Sequence, residues 1–219
     1  MAVKSFLSNY LFDSLKLIDE HIPVALLLRH SIREELPSGE SGFHVPLTSE
    51  GYELATQLGR LLGARLSSIN TSPVPRCLET ARALQEGAGT NYPIRQDKLL
   101  GDPGVFVQDS NIAWKNWIDL GNSGVIKHLI SGVKPLPGMV DSVIASRRLV
   151  NHMLNLLAKK PGIHIFISHD SIIAGIIARF MNLDIPEVDW PDFLDGALFW
   201  EKEGNVQMVY KNYSYELKW

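Results

Sequence analysis

Five apolar residues in a row, Val24-Ala25-Leu26-Leu27-Leu28, end abruptly on Arg29-His30-Ser31-Ile32-Arg33. A run this short cannot span a membrane and reads as a β-strand buried on both faces, which requires a sheet covered by helices on each side. In such an architecture the last residues of a strand are delivered to the crevice at the carboxyl edge of the sheet, where ligands of open sheets sit. Arg29 and His30 stand at that edge, with Arg33 close behind. An Arg-His pair after a strand is equally compatible with a solvated loop, so the rest of the chain has to decide.

The remaining patterns set the order of elements. Leu7, Leu11, Leu15 and Ile18 suggest a short leading helix that packs without chemistry. The first strand runs from about Pro23 to His30, and Glu34 to Pro46, rich in Pro, Gly and Ser, reads as a loop. Thr48 caps a helix whose apolar stripe is Leu54, Leu58, Leu61 and Leu62. A short strand, Ser67 to Ser72, leads through Pro73-Val74-Pro75 into a helix from Pro75 to Glu86, with Arg76 beside its positive end. A third strand is expected within Tyr92 to Leu100. Gly101 to Gly138 is punctuated by glycines and prolines and reads as an insertion or small helical cap. Asp141 to Lys160 is an amphipathic helix. Ile163 to Ser168 is a second buried strand, ending on His169-Asp170, and a helix from Ser171 to Met181 follows at once. Two strands, Ala197 to Glu201 and Val206 to Lys211, are joined by a turn through Glu203-Gly204-Asn205. This order defines an α/β fold: a three-layer α/β/α sandwich with a mostly parallel central sheet and an antiparallel edge. The expected organisation is a single domain over 1–219, with a cap at about 101–138.

Composition narrows the partners. A net charge of −3 over 219 residues gives no general attraction to nucleic acid or to an anionic membrane, so any anion site must come from a few gathered cations. The single cysteine, Cys77, excludes an intramolecular disulfide and fits a reducing compartment. Met1 to Glu20 carries Asp13, Lys16, Asp19 and Glu20 and lacks the uninterrupted apolar region of a secretory signal. A cytoplasmic protein is expected.

Two buried strands thus end in histidines, His30 and His169, and a shorter strand leads to Arg76. If these strands are parallel neighbours, their carboxyl ends gather His30, His169, Arg29, Arg33 and Arg76 in one crevice. Three guanidiniums, each with paired N–H donors, suit a tetrahedral phosphate dianion better than a carboxylate, and the helix start at Arg76 adds its dipole. Neighbouring positive charge keeps an imidazole neutral, leaving one ring nitrogen free to attack phosphorus and form a phosphohistidine that water later hydrolyses. The second histidine and the arginines would stabilise the equatorial oxygens. Alkoxide departure needs a proton donor, and Asp170 is the nearest carboxyl in sequence.

These residues carry a family resemblance. Arg29-His30-Ser31-Ile32-Arg33, Thr71-Ser72-Pro73-Val74-Pro75-Arg76 with Thr80-Ala81, and Ser168-His169-Asp170-Ser171 resemble the three signatures of the histidine phosphatase superfamily, with its phosphoglycerate-mutase-like fold, in the family's order. The resemblance spans about residues 23 to 182. It implies His30 as nucleophile, a phosphate pocket of Arg29, Arg33, Arg76 and His169, and neither metal nor other cofactor. Ser31 departs from the glycine that often follows the nucleophile. The Arg-His-x-x-Arg and His-Asp forms are similar to the acid-phosphatase and phytase branch, in which the Asp of the His-Asp pair donates the proton. The compact, cysteine-poor chain looks instead like the mutase and small-phosphatase branch, whose donor comes from mid-chain. Asp170 is therefore the first choice of acid, with Asp102 and Asp109 as rivals.

The implied activity is metal-independent hydrolysis of a small phosphorylated substrate through a phosphohistidine. A mutase-type phosphotransferase and a non-catalytic phosphate-binding regulatory module are the alternatives. A metal-dependent HD-type phosphohydrolase would need further His and Asp ligands on helices, and none is marked out beside His169-Asp170. His164, five residues before His169, points to the opposite face of its strand and reads as a packing residue. His44 reads as exposed and Cys77 as a small buried residue. Trp114 and Trp117 could line a substrate pocket, but packing of the insertion is the preferred reading.

Overall fold

The computed structural model describes residues 9–36, 42–132, 134–157, 160–181, 190–211 and 213–217. Its strands are β1 (Pro23–Arg29), β2 (Leu66–Thr71), β3 (Ile94–Gln96), β4 (Gly162–Ser168), β5 (Gly196–Lys202), β6 (Asn205–Tyr210) and β7 (Tyr213–Leu217). The helices are α1 (Asn9–Leu17), α2 (Ser49–Leu62), α3 (Pro75–Ala88), α4 (Ser110–Ser131), α5 (Ser142–Leu156) and α6 (Asp170–Met181). All seven strands join one sheet in the order β3-β2-β4-β1-β5-β6-β7.

The alternation of side chains along a strand explains why this sheet needs cover on both faces. In β1, Ala25 and Leu27 enter one core with residues of α4, α5 and α6. Val24, Leu26 and Leu28 enter another with residues of α1, α2 and α3. Burial on both faces is the condition that an uninterrupted apolar strand imposes, and it makes the molecule the expected α/β/α sandwich.

The sheet is parallel only through β3, β2, β4 and β1; β5, β6 and β7 add antiparallel. The expectation of a mostly parallel sheet is corrected on this point. The hairpin between β5 and β6 closes through Glu203 and Gly204, both at positive φ (52° and 81°), the backbone of a two-residue turn whose twist suits paired strands. The final strand, β7, carries no strong signal because it is a short edge strand whose only buried side chain is Leu217. β3 is shorter than expected: the chain turns at Asp97, whose side chain caps a 3₁₀ turn by accepting from the Leu99 N–H.

Helix starts follow local chemistry. The Thr48 side chain accepts from the Gly51 N–H at the start of α2, Pro75 opens α3, and Asp141 caps α5 by accepting from Val143 and Ile144. The stretch expected to form a helical cap is mainly α4, bent at Gly121, whose φ of 66° interrupts the helix. The first eight residues, including the expected stripe position Leu7, lie outside the described residues.

Helices α2 and α3 approach closely because each presents a glycine to the other. A Cβ at Gly59 would overlap the Leu84 carbonyl, and one at Gly87 the Thr56 carbonyl. This contact fixes α3, and with it Arg76. Gly87→Ala, which overpacks backbone against backbone, is expected to lower stability by about 1–3 kcal/mol, read as a lower urea midpoint at unchanged slope.

Candidate active site

The parallel register of β1 on β4 pairs Leu28 with Ile167 and Arg29 with Ser168. One residue further, the His30 N–H donates to the Ser168 carbonyl at 3.0 Å, so both strands end together. His30 and His169 consequently lie with ring centroids 5.5 Å apart, edge to face. Ser72, at the end of β2, also joins this edge by donating its N–H to the Ile167 carbonyl.

Hydrogen bonds fix the histidine tautomers. His30 Nδ1 lies 2.8 Å from the Ser31 carbonyl, which can only accept, so Nδ1 carries the proton and Nε2 keeps its lone pair. That lone pair accepts from Arg76 Nε at 3.1 Å. Arg76 also donates through one terminal nitrogen to His169 Nδ1 at 3.3 Å and through the other to the Gly42 carbonyl at 2.9 Å. His169 therefore carries its proton on Nε2, which faces Ser72 Oγ at 3.1 Å. Ser31 uses its side chain as a brace, donating from Oγ to the Gly51 carbonyl at 2.6 Å, while its N–H donates to Thr80 Oγ1.

Arg29 is buried and heavily engaged. It donates to the Pro191 carbonyl and to Asp170, each at 2.8 Å, and its guanidinium lies 4.0 Å from the centroid of the Phe193 ring. Its Nε is buried without a hydrogen-bond partner among the described residues. Arg33 is half-buried and donates to the neighbouring Glu34 carbonyl. Its charge is felt at both Arg29 and Arg76, so the three cations do share one region. The segment around Pro191 and Phe193 escaped sequence reasoning because it has neither periodicity nor a recognisable motif.

The three candidate acids stand differently. Asp170 is ion-paired with Arg29, and its other oxygen accepts from the Ser171 N–H. Asp109 is exposed and caps α4 through the N–H groups of Asn111 and Ile112. Asp102 is exposed and lines a cavity of about 380 Å³ that reaches Arg76 and His169. Gly101 packs so closely that a Cβ there would overlap Ser72 and the His169 ring. Trp114 and Trp117 line the same cavity, which adds a pocket role to the packing role expected of them.

Other expectations resolve simply. His164 is buried, donates from Nε2 to the Lys160 carbonyl and accepts from Ser68 Oγ at Nδ1, both at 2.8 Å. His44 is exposed. Cys77 is fully buried, and burial raises its thiol pKa to about 12, which leaves it protonated. Among the described residues, no three His, Cys, Asp or Glu side chains gather to hold a metal ion. No described helix is long and apolar enough to cross a membrane.

Paired histidines at adjacent parallel strand ends, bridged by one arginine at a helix start, form the candidate site. The family model of the histidine phosphatase superfamily (branch 1) matches residues 25–105. No curated protein matches it in sequence. Among solved structures it is similar to a mycobacterial glucosyl-3-phosphoglycerate phosphatase in complex with inorganic phosphate (TM-score 0.59, 17% identity, covering 86% of this chain and 97% of the other). It is likewise similar to a phosphoserine phosphatase mutant from Entamoeba histolytica in complex with phosphoserine (TM-score 0.57, 14% identity, 86% and 96% covered). At these identities the likeness is one of fold.

Both histidines are held neutral. Burial first, then the neighbouring His169 and Arg76, pushes the His30 pKa well below its ordinary 6.5; burial and Arg76 bring His169 to about 3. An unfolded histidine takes up a proton near pH 6.5 that the native one refuses. Their contribution to stability is therefore complete above about pH 6.5 and declines as pH falls towards about 3 for His169. Urea unfolding is expected to show this decline between pH 7.5 and 5, at up to about 1.4 kcal/mol per pH unit for each histidine, and a shallower decline in His169→Gln.

Proposed function

We propose that the protein is a metal-independent phosphomonoesterase acting through a phosphohistidine on His30. The observation that carries this reading is the His30 tautomer: Nδ1–H is committed to the Ser31 carbonyl, so the Nε2 lone pair faces the space shared with Arg76 and His169. Attack of Nε2 on phosphorus forms the N–P bond as the ester P–O bond breaks. Arg76 Nε–H leaves the imidazole for a phosphoryl oxygen in that event. Arg29, Arg33, Arg76 and His169 supply the remaining positive charge and donors around the equatorial oxygens. Water then attacks phosphorus, breaking the N–P bond and returning His30 with inorganic phosphate.

The departing alkoxide takes its proton from a carboxyl, which in its ionised form then accepts a proton from the attacking water. Asp170, the first choice from sequence, is ion-paired with Arg29 at 2.8 Å and so is engaged in holding that guanidinium. Asp102 lines the cavity beside Arg76 and His169 and carries no such commitment to Arg29. Asp102 is therefore the better donor, and Asp170 a positioning residue for Arg29.

Release of inorganic phosphate from an aryl phosphate, with chelator present, is expected for the native chain and is lost in His30→Ala. Unchanged activity in His30→Ala would overturn the mechanism. Asp102→Asn is expected to lower kcat on alkyl phosphates by about 10²–10⁴ and far less on p-nitrophenyl phosphate, whose leaving group needs no proton. Asp170→Asn is expected chiefly to raise KM. The reverse pattern would return the acid role to Asp170.

A further inference from the structure

The cavity that opens beside His169 and Arg76 is lined mainly by apolar side chains. Its polar side chains are His169 itself, Arg76, which donates to His169, Ser171, two positions along the chain, and Asp102, whose neighbour Gly101 packs against the His169 ring. Arg76 and His169 mark the phosphate end. Away from it the walls are Phe106, Trp114, Trp117, Ile126, Leu129 and Met139. The volume, about 380 Å³, lies within the range of small-molecule sites.

The bend in α4 makes this lining possible. Trp114 and Trp117, three apart, share one face of the helix before Gly121; Ile126 and Leu129, three apart, share one face after it. A straight helix presents one stripe to one wall, whereas the break at Gly121 lets two short stripes from one helix wrap a pocket. Trp114 remains 48% exposed, which puts it at the mouth.

We propose that the leaving group of the natural substrate is a bulky apolar alcohol, so that the enzyme hydrolyses monoesters of hydrocarbon-rich alcohols in preference to phosphorylated sugars, nucleosides or amino acids. The inference rests on the phosphomonoesterase reading above. A polyhydroxylated leaving group in this pocket surrenders its hydrogen bonds to water and finds hydrocarbon in their place, which costs free energy for each hydroxyl left unpaired. An alkyl or ring system gains by the same transfer.

Leaving-group acidity must be held constant to see this, so the test compares ethyl, butyl and hexyl phosphate, all primary alkyl esters. Phosphoserine and glycerol 3-phosphate serve as polar counterparts, and p-nitrophenyl phosphate as a control for activity. In the native enzyme kcat/KM is expected to rise about threefold for each added methylene, with hexyl phosphate well ahead of both polar esters. Trp114→Ala, a change at a half-exposed position, is expected to reduce the hexyl-to-ethyl ratio several-fold. A flat or falling series in an enzyme that hydrolyses p-nitrophenyl phosphate would overturn the apolar assignment and leave the phosphatase reading standing. So would faster turnover of phosphoserine or glycerol 3-phosphate than of hexyl phosphate. A hexyl-to-ethyl ratio unmoved by Trp114→Ala would overturn the role of this pocket. Absence of hydrolysis of every ester, p-nitrophenyl phosphate included, would overturn the phosphatase reading and this inference with it.

Discussion

The parallel pairing of β1 with β4 is the constraint on which the site depends. A strand buried on both faces has little freedom to slip, because a one-residue shift moves every side chain to the other face and exchanges Leu26 and Leu28 with Ala25 and Leu27 between two differently shaped cores. The register is thereby fixed at Arg29 opposite Ser168. Both strands then stop at the same level, and the next residue of each is a histidine. The close approach of His30 and His169 thus follows from how the hydrophobic residues pack, and requires no attraction between two imidazoles that have none to offer.

Arg76 is what makes that approach tolerable. Its guanidinium gives one N–H to each histidine, filling the lone pair that burial would otherwise leave unsatisfied. Burial holds both rings neutral, and the Arg76 charge adds to it. Its own placement derives from elements remote from the chemistry: Pro75 begins α3, and the glycines at 59 and 87 set α3 tight against α2. A change that loosened that helix pair would reach the site through one side chain.

Much of this was legible in the chain. The two apolar runs ending in His30 and His169, and the Pro-Val-Pro-Arg helix start, were readable because burial, proline and period are local signals. The parallel adjacency that brings them together could be anticipated only as a condition. What stayed hidden depends on contacts distant in sequence. The carbonyl of Pro191 and the ring of Phe193 hold Arg29 from a segment without pattern. The antiparallel half of the sheet was underestimated because β7 buries little. The two tryptophans were read as packing because the bend at Gly121, which turns their face into a pocket wall, has no reliable signature beyond one glycine in a glycine-rich stretch.

The division of labour proposed for the carboxylates follows from charge balance. Burial disfavours the charged form of Arg29 and Arg76, and the neighbouring guanidiniums add to it, Arg33 at Arg29 and both Arg33 and Arg29 at Arg76. Asp170 offsets that penalty at Arg29, with Asp192 contributing from further away. To serve as the acid, Asp170 would have to give up the pairing that compensates the buried Arg29. A carboxyl at Asp102 bears no such burden. It lines the cavity instead of pairing with Arg29, so assigning the acid role to it leaves the cationic cradle, with Asp170 in it, intact.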